Sequence, residues 1–144
     1  LPSGIETPDL RPVMSVVSEI ALIKNVEKGE TIGYGRTFAA GRESVIASVP
    51  IGYHDGYARN LSNQGRVIVN GKIAPVVGRV SMDWITIDIT DIADAGVGTP
   101  VTIIGSEQDA AVKAEDIAAM LSTISYEVTC GISTRVPRIF KEKI

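Results

Sequence analysis

Residues 66–77 read Arg-Val-Ile-Val-Asn-Gly-Lys-Ile-Ala-Pro-Val-Val, and the Asn70-Gly71 pair at their centre decides the fold class. A type I′ turn needs φ > 0 at both central residues, which Asn and Gly tolerate best. Arg66–Val69 and Lys72–Val77 are therefore expected to fold back as a β-hairpin. Downstream, WITIDIT at 84–90 alternates, with Ile85, Ile87 and Ile89 on one face and Trp84, Thr86, Asp88 and Thr90 on the other. Upstream, Ser44–Ile51 reads as a short buried strand, and 13–26 (VMSVVSEIALIKNV), rich in β-branched residues, reads as another. Glu27-Lys28-Gly29-Glu30 is a turn signal after which Thr31–Phe38 returns, and Val101–Gly105 is a further short strand. Helical spacing appears only late. Ala114–Leu121 places Ile117, Met120 and Leu121 on one side, with Glu115 and Asp116 at the start, where carboxylates suit the helix dipole. Ser125 is placed to cap a second short helix that runs to Cys130 and is closed by Gly131. About seven short strands with one late helical excursion make a β-barrel or sandwich with accessory helices.

The 144 residues are 44% hydrophobic and 22% charged, the make-up of a single globular domain. A net charge of −3 without a basic stripe, and few aromatics, speak against nucleic-acid binding. No apolar run approaches the ~20 residues of a membrane span. The one cysteine, Cys130, leaves no internal disulfide, which fits a reducing compartment, and it reads as a small buried hydrophobe. One His, one Cys and no acidic cluster leave no metal site to propose. The chain opens at Leu1 without Met, and LPSGIETPDL lacks signal-peptide character. Residues 1–12 are read as a linker and 13–144 as one domain of a longer polypeptide.

Three local patterns can carry chemistry. In VPIGYHDGYARNL at 49–61 a strand ends in a glycine-flanked loop that presents Tyr53, a rigid mount for a polar group. His54 beside it reads as a solvated loop residue. The second pattern is Val77-Gly78-Arg79-Val80-Ser81-Met82-Asp83, and the third is Thr123-Ile124-Ser125-Tyr126-Glu127-Val128. Taken singly, each has an ordinary structural explanation. Gly78 is a bulge, Arg79 and Asp83 a surface ion pair, Met82 a core filler and Tyr126 a packing residue. Their order is what separates them from that explanation.

That order closely resembles the C-terminal domain of alanine racemase, a pyridoxal-phosphate enzyme of bacterial cell-wall (peptidoglycan) synthesis. The resemblance runs from about Arg11 to Phe140. It rests on GYGRTF at 33–38, VPIGYHDGYAR at 49–59, the VNGK hairpin, PVVGRVSMD at 75–83, TISYEV at 123–128 and TRVPR at 134–138. It implies a mainly β fold, a Greek-key β-barrel of about six to eight strands with short accessory helices near the C-terminus. It also implies an N-terminal (β/α)8 barrel, outside this chain, whose lysine holds the cofactor; none of Lys24, Lys28, Lys72, Lys113, Lys141 or Lys143 matches that motif. In the family two subunits pair head to tail as a homodimer, each completing the other's site in the cytoplasm.

By the same resemblance Tyr53 is the catalytic base that exchanges the α-proton of L-alanine, opposite the lysine that serves D-alanine. Racemisation needs acid–base groups on opposite faces of a planar carbon, and the cofactor supplies the electron sink. A free tyrosine titrates near pH ~10, so it needs partners that favour the phenolate; in the family these come largely from the barrel. Met82 binds the substrate carboxylate through its backbone N–H, Tyr126 touches the cofactor phosphate, and Arg79, Asp83 and Ile124 line the entrance. The aromatic ring at Tyr126 favours alanine over serine. This chain alone is expected to be inactive and to bind no cofactor. The alternatives are the C-terminal barrel of a related decarboxylase or serine racemase, or a non-catalytic β-barrel binding module.

Overall fold

Runs of Val, Ile and Thr punctuated by Gly, Asn and Pro dictate short strands throughout. The computed structural model describes residues 11–141 and bears this out. The linker expected over 1–12 therefore lies mostly outside the described residues, as does Lys143. In chain order the strands are β1 (Val16–Glu19), β2 (Leu22–Val26), β3 (Thr31–Ile32), β4 (Phe38–Ala39), β5 (Ser44–Val49), β6 (Arg66–Val69), β7 (Lys72–Pro75), β8 (Ile85–Asp88), β9 (Pro100–Glu107) and β10 (Ala110–Val112). Two helices follow, α1 (Ala114–Leu121) and α2 (Ser125–Cys130).

All pairings are antiparallel. One sheet runs β1-β9-β6-β7 with β10 added to β9, a second runs β2-β5-β8, and β3 and β4 form a small ribbon. Asn70 and Gly71 hold φ of 49° and 72°, as a type I′ turn requires, and set the β6–β7 register so that Val69 faces Lys72. Ile85, Ile87 and Ile89 are buried as their alternation predicts, with Trp84 exposed. They pack with Val67, Val69, Val101 and Ile103 from the other sheet into one core. On the far side of β9, Ile117 of α1 and Val128 of α2 join that core.

Among the described residues the ladders do not close into a continuous barrel. The two main sheets are joined by one isolated bridge, Val76 to Ile87, and by a bend between β1 and β2. At that bend the expected single strand over 13–26 divides. Ile20 N–H donates to Thr99 O, whereas Ala21 N–H donates to Ser48 O, so the chain leaves β9 and passes to β5 in two residues. Thr31–Phe38 is likewise two strands around a tight turn at Tyr34–Arg36. Ser125 is the first residue of α2 rather than its cap. Ile124 occupies the cap position with extended backbone, and the Thr123 hydroxyl donates to the Glu127 carboxylate across the first turn. Cys130 is exposed rather than buried, because it lies on the outer face of α2.

Candidate active site

The two tyrosines of GYHDGY have opposite fates. Tyr57 is 4% exposed, and its hydroxyl lies where a Cβ on Gly65 would sit, without a hydrogen-bond partner among the described residues. Burial pushes its phenol well above the ordinary value, so it stays neutral. Tyr53 is 45% exposed and is the tyrosine that β5 presents outward. His54 is exposed, as a solvated loop residue should be.

Tyr53 and Met82 are brought together by main-chain contacts. Tyr53 N–H donates to Ser81 O and His54 N–H to Met82 O, each at 3.0 Å. This approach is possible because residue 52 has no side chain. A Cβ on Gly52 would stand 2.4 Å from both carbonyl oxygens, far inside contact distance. Ser81 is fixed in turn by reciprocal bonds between its hydroxyl and the Trp84 backbone. The Met82 N–H itself donates to no acceptor among the described residues, and its side chain is half exposed. Met82 is therefore not the core filler that its residue type allows.

Arg79 lies further along the same loop, its Nε 3.3 Å from where a Cβ on Gly35 would be, so the 33–36 turn forms its floor. Gly78 is held at φ 78° between Ile32 O and the Asn63 side chain, whose Oδ1 accepts its N–H at 2.7 Å. The ion pair offered by Arg79 and Asp83 does not form. Asp83 accepts from Arg135 instead, and the same guanidinium donates through Nε to Asp55 Oδ1 at 2.5 Å and through Nη2 to Asp55 Oδ2 at 3.1 Å. These two bonds hold the Asp55 carboxyl below its usual range despite its burial. Sequence reasoning missed this pairing. Arg135 lies within TRVPR at 134–138, yet no local spacing links it to an aspartate 80 positions away.

Tyr126 on α2 and Ile124 at its cap are both exposed, Tyr126 at 76%, and neither enters the hydrogen bonds of this network. Tyr126 borders a cavity of about 640 Å3 whose other walls are residues 11–15, the paired stretches 104–106 of β9 and 111–112 of β10, and the start of α1. The link between the two regions is structural: Gly131 and Ile132, just beyond α2, pack on Gly56, and Ser133 N–H donates to Asp55 O at 2.9 Å. Among the described residues no group of His, Cys, Asp and Glu gathers to hold a metal ion, and no helix is long and apolar enough to cross a membrane.

The family model for the C-terminal domain of alanine racemase matches residues 13–140. The alanine racemase of Halothermothrix orenii is 49% identical over 97% of this chain and 37% of its own length; that of Geobacter sulfurreducens is 48% identical over 91% and 35%. Among solved structures, alanine racemase from Bacillus anthracis with bound L-Ala-P superposes with a TM-score of 0.87 at 43% identity, covering 92% of this chain and 34% of that one. Alanine racemase from Bartonella henselae with covalently bound pyridoxal phosphate gives 0.85 at 34% identity, covering 94% and 37%. The chain thus spans about a third of the length of these relatives.

Proposed function

Because this chain belongs to the alanine racemase C-terminal domain family, we propose that it is the β-rich part of an enzyme interconverting L- and D-alanine. The reading is carried by one juxtaposition: an exposed tyrosine hydroxyl on one loop and an uncommitted backbone N–H on the next, held by two hydrogen bonds. Tyr53 exchanges the proton at the substrate Cα through its Oη, and the Met82 N–H donates to the substrate carboxylate. A main-chain donor suits that role, since its direction is set by the loop and not by a rotamer.

The residues present fit part of a pyridoxal-phosphate site. Tyr126 offers a solvent-facing hydroxyl suited to a phosphate oxygen, while no lysine enters the hydrogen bonds that organise the Tyr53 and Met82 loops among the described residues. The cofactor, when bound, supplies the sink for charge left at Cα. Its lysine, which is also the base opposite Tyr53, is assigned to an N-terminal (β/α)8 barrel outside this chain. Arg79, Asp83 and Ile124 line the approach, and the Tyr126 ring favours alanine over serine. The exposure of Tyr53, Met82, Trp84 and Tyr34 supports a second subunit seated over this face, in a head-to-tail homodimer of the bacterial cytoplasm. We also read the two sheets as walls of one Greek-key barrel, on the strength of the Val76–Ile87 bridge and the β1–β2 bend.

The full-length protein, supplied with pyridoxal phosphate, is expected to convert L-alanine to D-alanine; no turnover of either enantiomer overturns the reading. This chain alone is expected to give no new absorbance band on adding the cofactor.

A further inference from the structure

The segment beyond α2 takes no part in the chemistry above, yet it organises the loops that do. Asp55 is 8% exposed, and its Oδ2 accepts the Gly52 N–H at 2.8 Å, fixing the residue before Tyr53. Its remaining side-chain bonds come from Arg135, whose Nη2 reaches on to Asp83, the neighbour of Met82. Arg135 is itself delivered by a folded turn. The Arg138 guanidinium donates to the carbonyls of Ile132, Ser133 and Val136, and Ser133 N–H ties the turn to Asp55 O.

We propose that Arg135 is a positioning residue: its one guanidinium joins the Tyr53 loop to the Met82 loop and so sets the spacing between the tyrosine hydroxyl and the Met82 N–H. The inference rests on the reading of those two groups as the substrate-facing pair. A guanidinium serves here because it is a rigid planar fork with donors on several edges, able to grip Asp55 at two points and Asp83 at a third. A lysine, a point charge on a flexible stem, cannot reproduce that grip. Arg135 touches no reacting atom. It acts through the loops, and small displacements of groups around a reacting centre are costly to turnover.

The test uses the full-length enzyme carrying Arg135→Lys or Arg135→Gln, with amide hydrogen exchange read beside steady-state kinetics. Exchange at the Tyr53 and His54 N–H groups, which bridge the loops, is expected to quicken at least tenfold. The β6–β7 hairpin and α1 are expected to exchange as before, and kcat to fall at least tenfold, for Lys as for Gln. Unchanged exchange at Tyr53 and His54 overturns the proposal whatever the kinetics show. Uniform acceleration across the domain also overturns it, since Arg135 would then only support the fold. Should Arg135→Gln not fold, Asp83→Asn cuts the link to the Met82 loop alone and is expected to quicken the same two amides; no change there is equally fatal. If the unmodified enzyme fails to racemise alanine, the proposed function falls while the exchange measurement still decides whether Arg135 holds the loops.

Discussion

Gly52 shows how one missing side chain sets the candidate site. Its backbone lies so close to the Ser81 and Met82 carbonyls that any Cβ must part the two loops. Gly52→Ala is expected to cost about 1–3 kcal/mol as an overpacked contact and to lower turnover by roughly a hundredfold through displacement of Tyr53; urea denaturation and steady-state kinetics measure the two effects. Asp55 makes a prediction about pH. Its bonds to Arg135 hold the folded-state pKa below the ordinary 3.8, so the carboxyl is more acidic folded than unfolded. Its contribution to stability is full above the unfolded-state value and is lost as pH falls through the folded-state value. The melting temperature is expected to hold steady down to about pH 5 and to drop below about pH 4, with Asp55→Asn flattening that acid limb. Glu30 is shifted the same way by the Glu27 N–H, but on an exposed turn where solvent screens the effect.

Among the elements, the β6–β7 hairpin is where local chemistry alone determines structure. Gly71 holds φ 72°, and a Cβ there would also meet the Gln108 side chain. Gly71→Ala is therefore expected to destabilise the domain by about 1–2 kcal/mol, the cost of left-handed backbone for a residue with a Cβ, as a shift in denaturation midpoint without a change in slope. That hairpin, the alternating β8 and α1 were legible in the sequence because turn residues and periodicity act within a few positions. The break of 13–26 into β1 and β2 was not, since it records a change of partner from Thr99 to Ser48, which is a tertiary event. β10 also escaped. Ala110–Val112 carries no strand pattern of its own, and its ladder to β9 makes it a strand. For α2 the bounds were legible and the cap was not, because Ile124, with no side-chain oxygen, took the place that Ser125 suits better by type.

For the whole molecule, the two main sheets act as a mount that brings distant loops to one face. The Tyr53 and Met82 loops leave β5 and enter β8, neighbouring strands of one sheet, and the tail clamps both from beyond α2. The motifs at 49–59 and 75–83 were linked through the family resemblance, whereas the clamp was not, because an Asp and an Arg are common surface residues until the fold pairs them. Tyr126, on α2, borders a separate cavity in which Tyr53 takes no part. The role proposed for Tyr53 is to handle the α-proton of L-alanine. Since the enantiomers are equal in free energy, kcat/KM in the two directions must change together, and the direction-specific signal lies in hydrogen exchange at Cα. In deuterated water, the full-length enzyme carrying Tyr53→Phe with pyridoxal phosphate is expected to take deuterium into D-alanine but not into L-alanine, as followed by proton NMR. Exchange of the L-alanine α-proton at the unmodified enzyme's rate would contradict it.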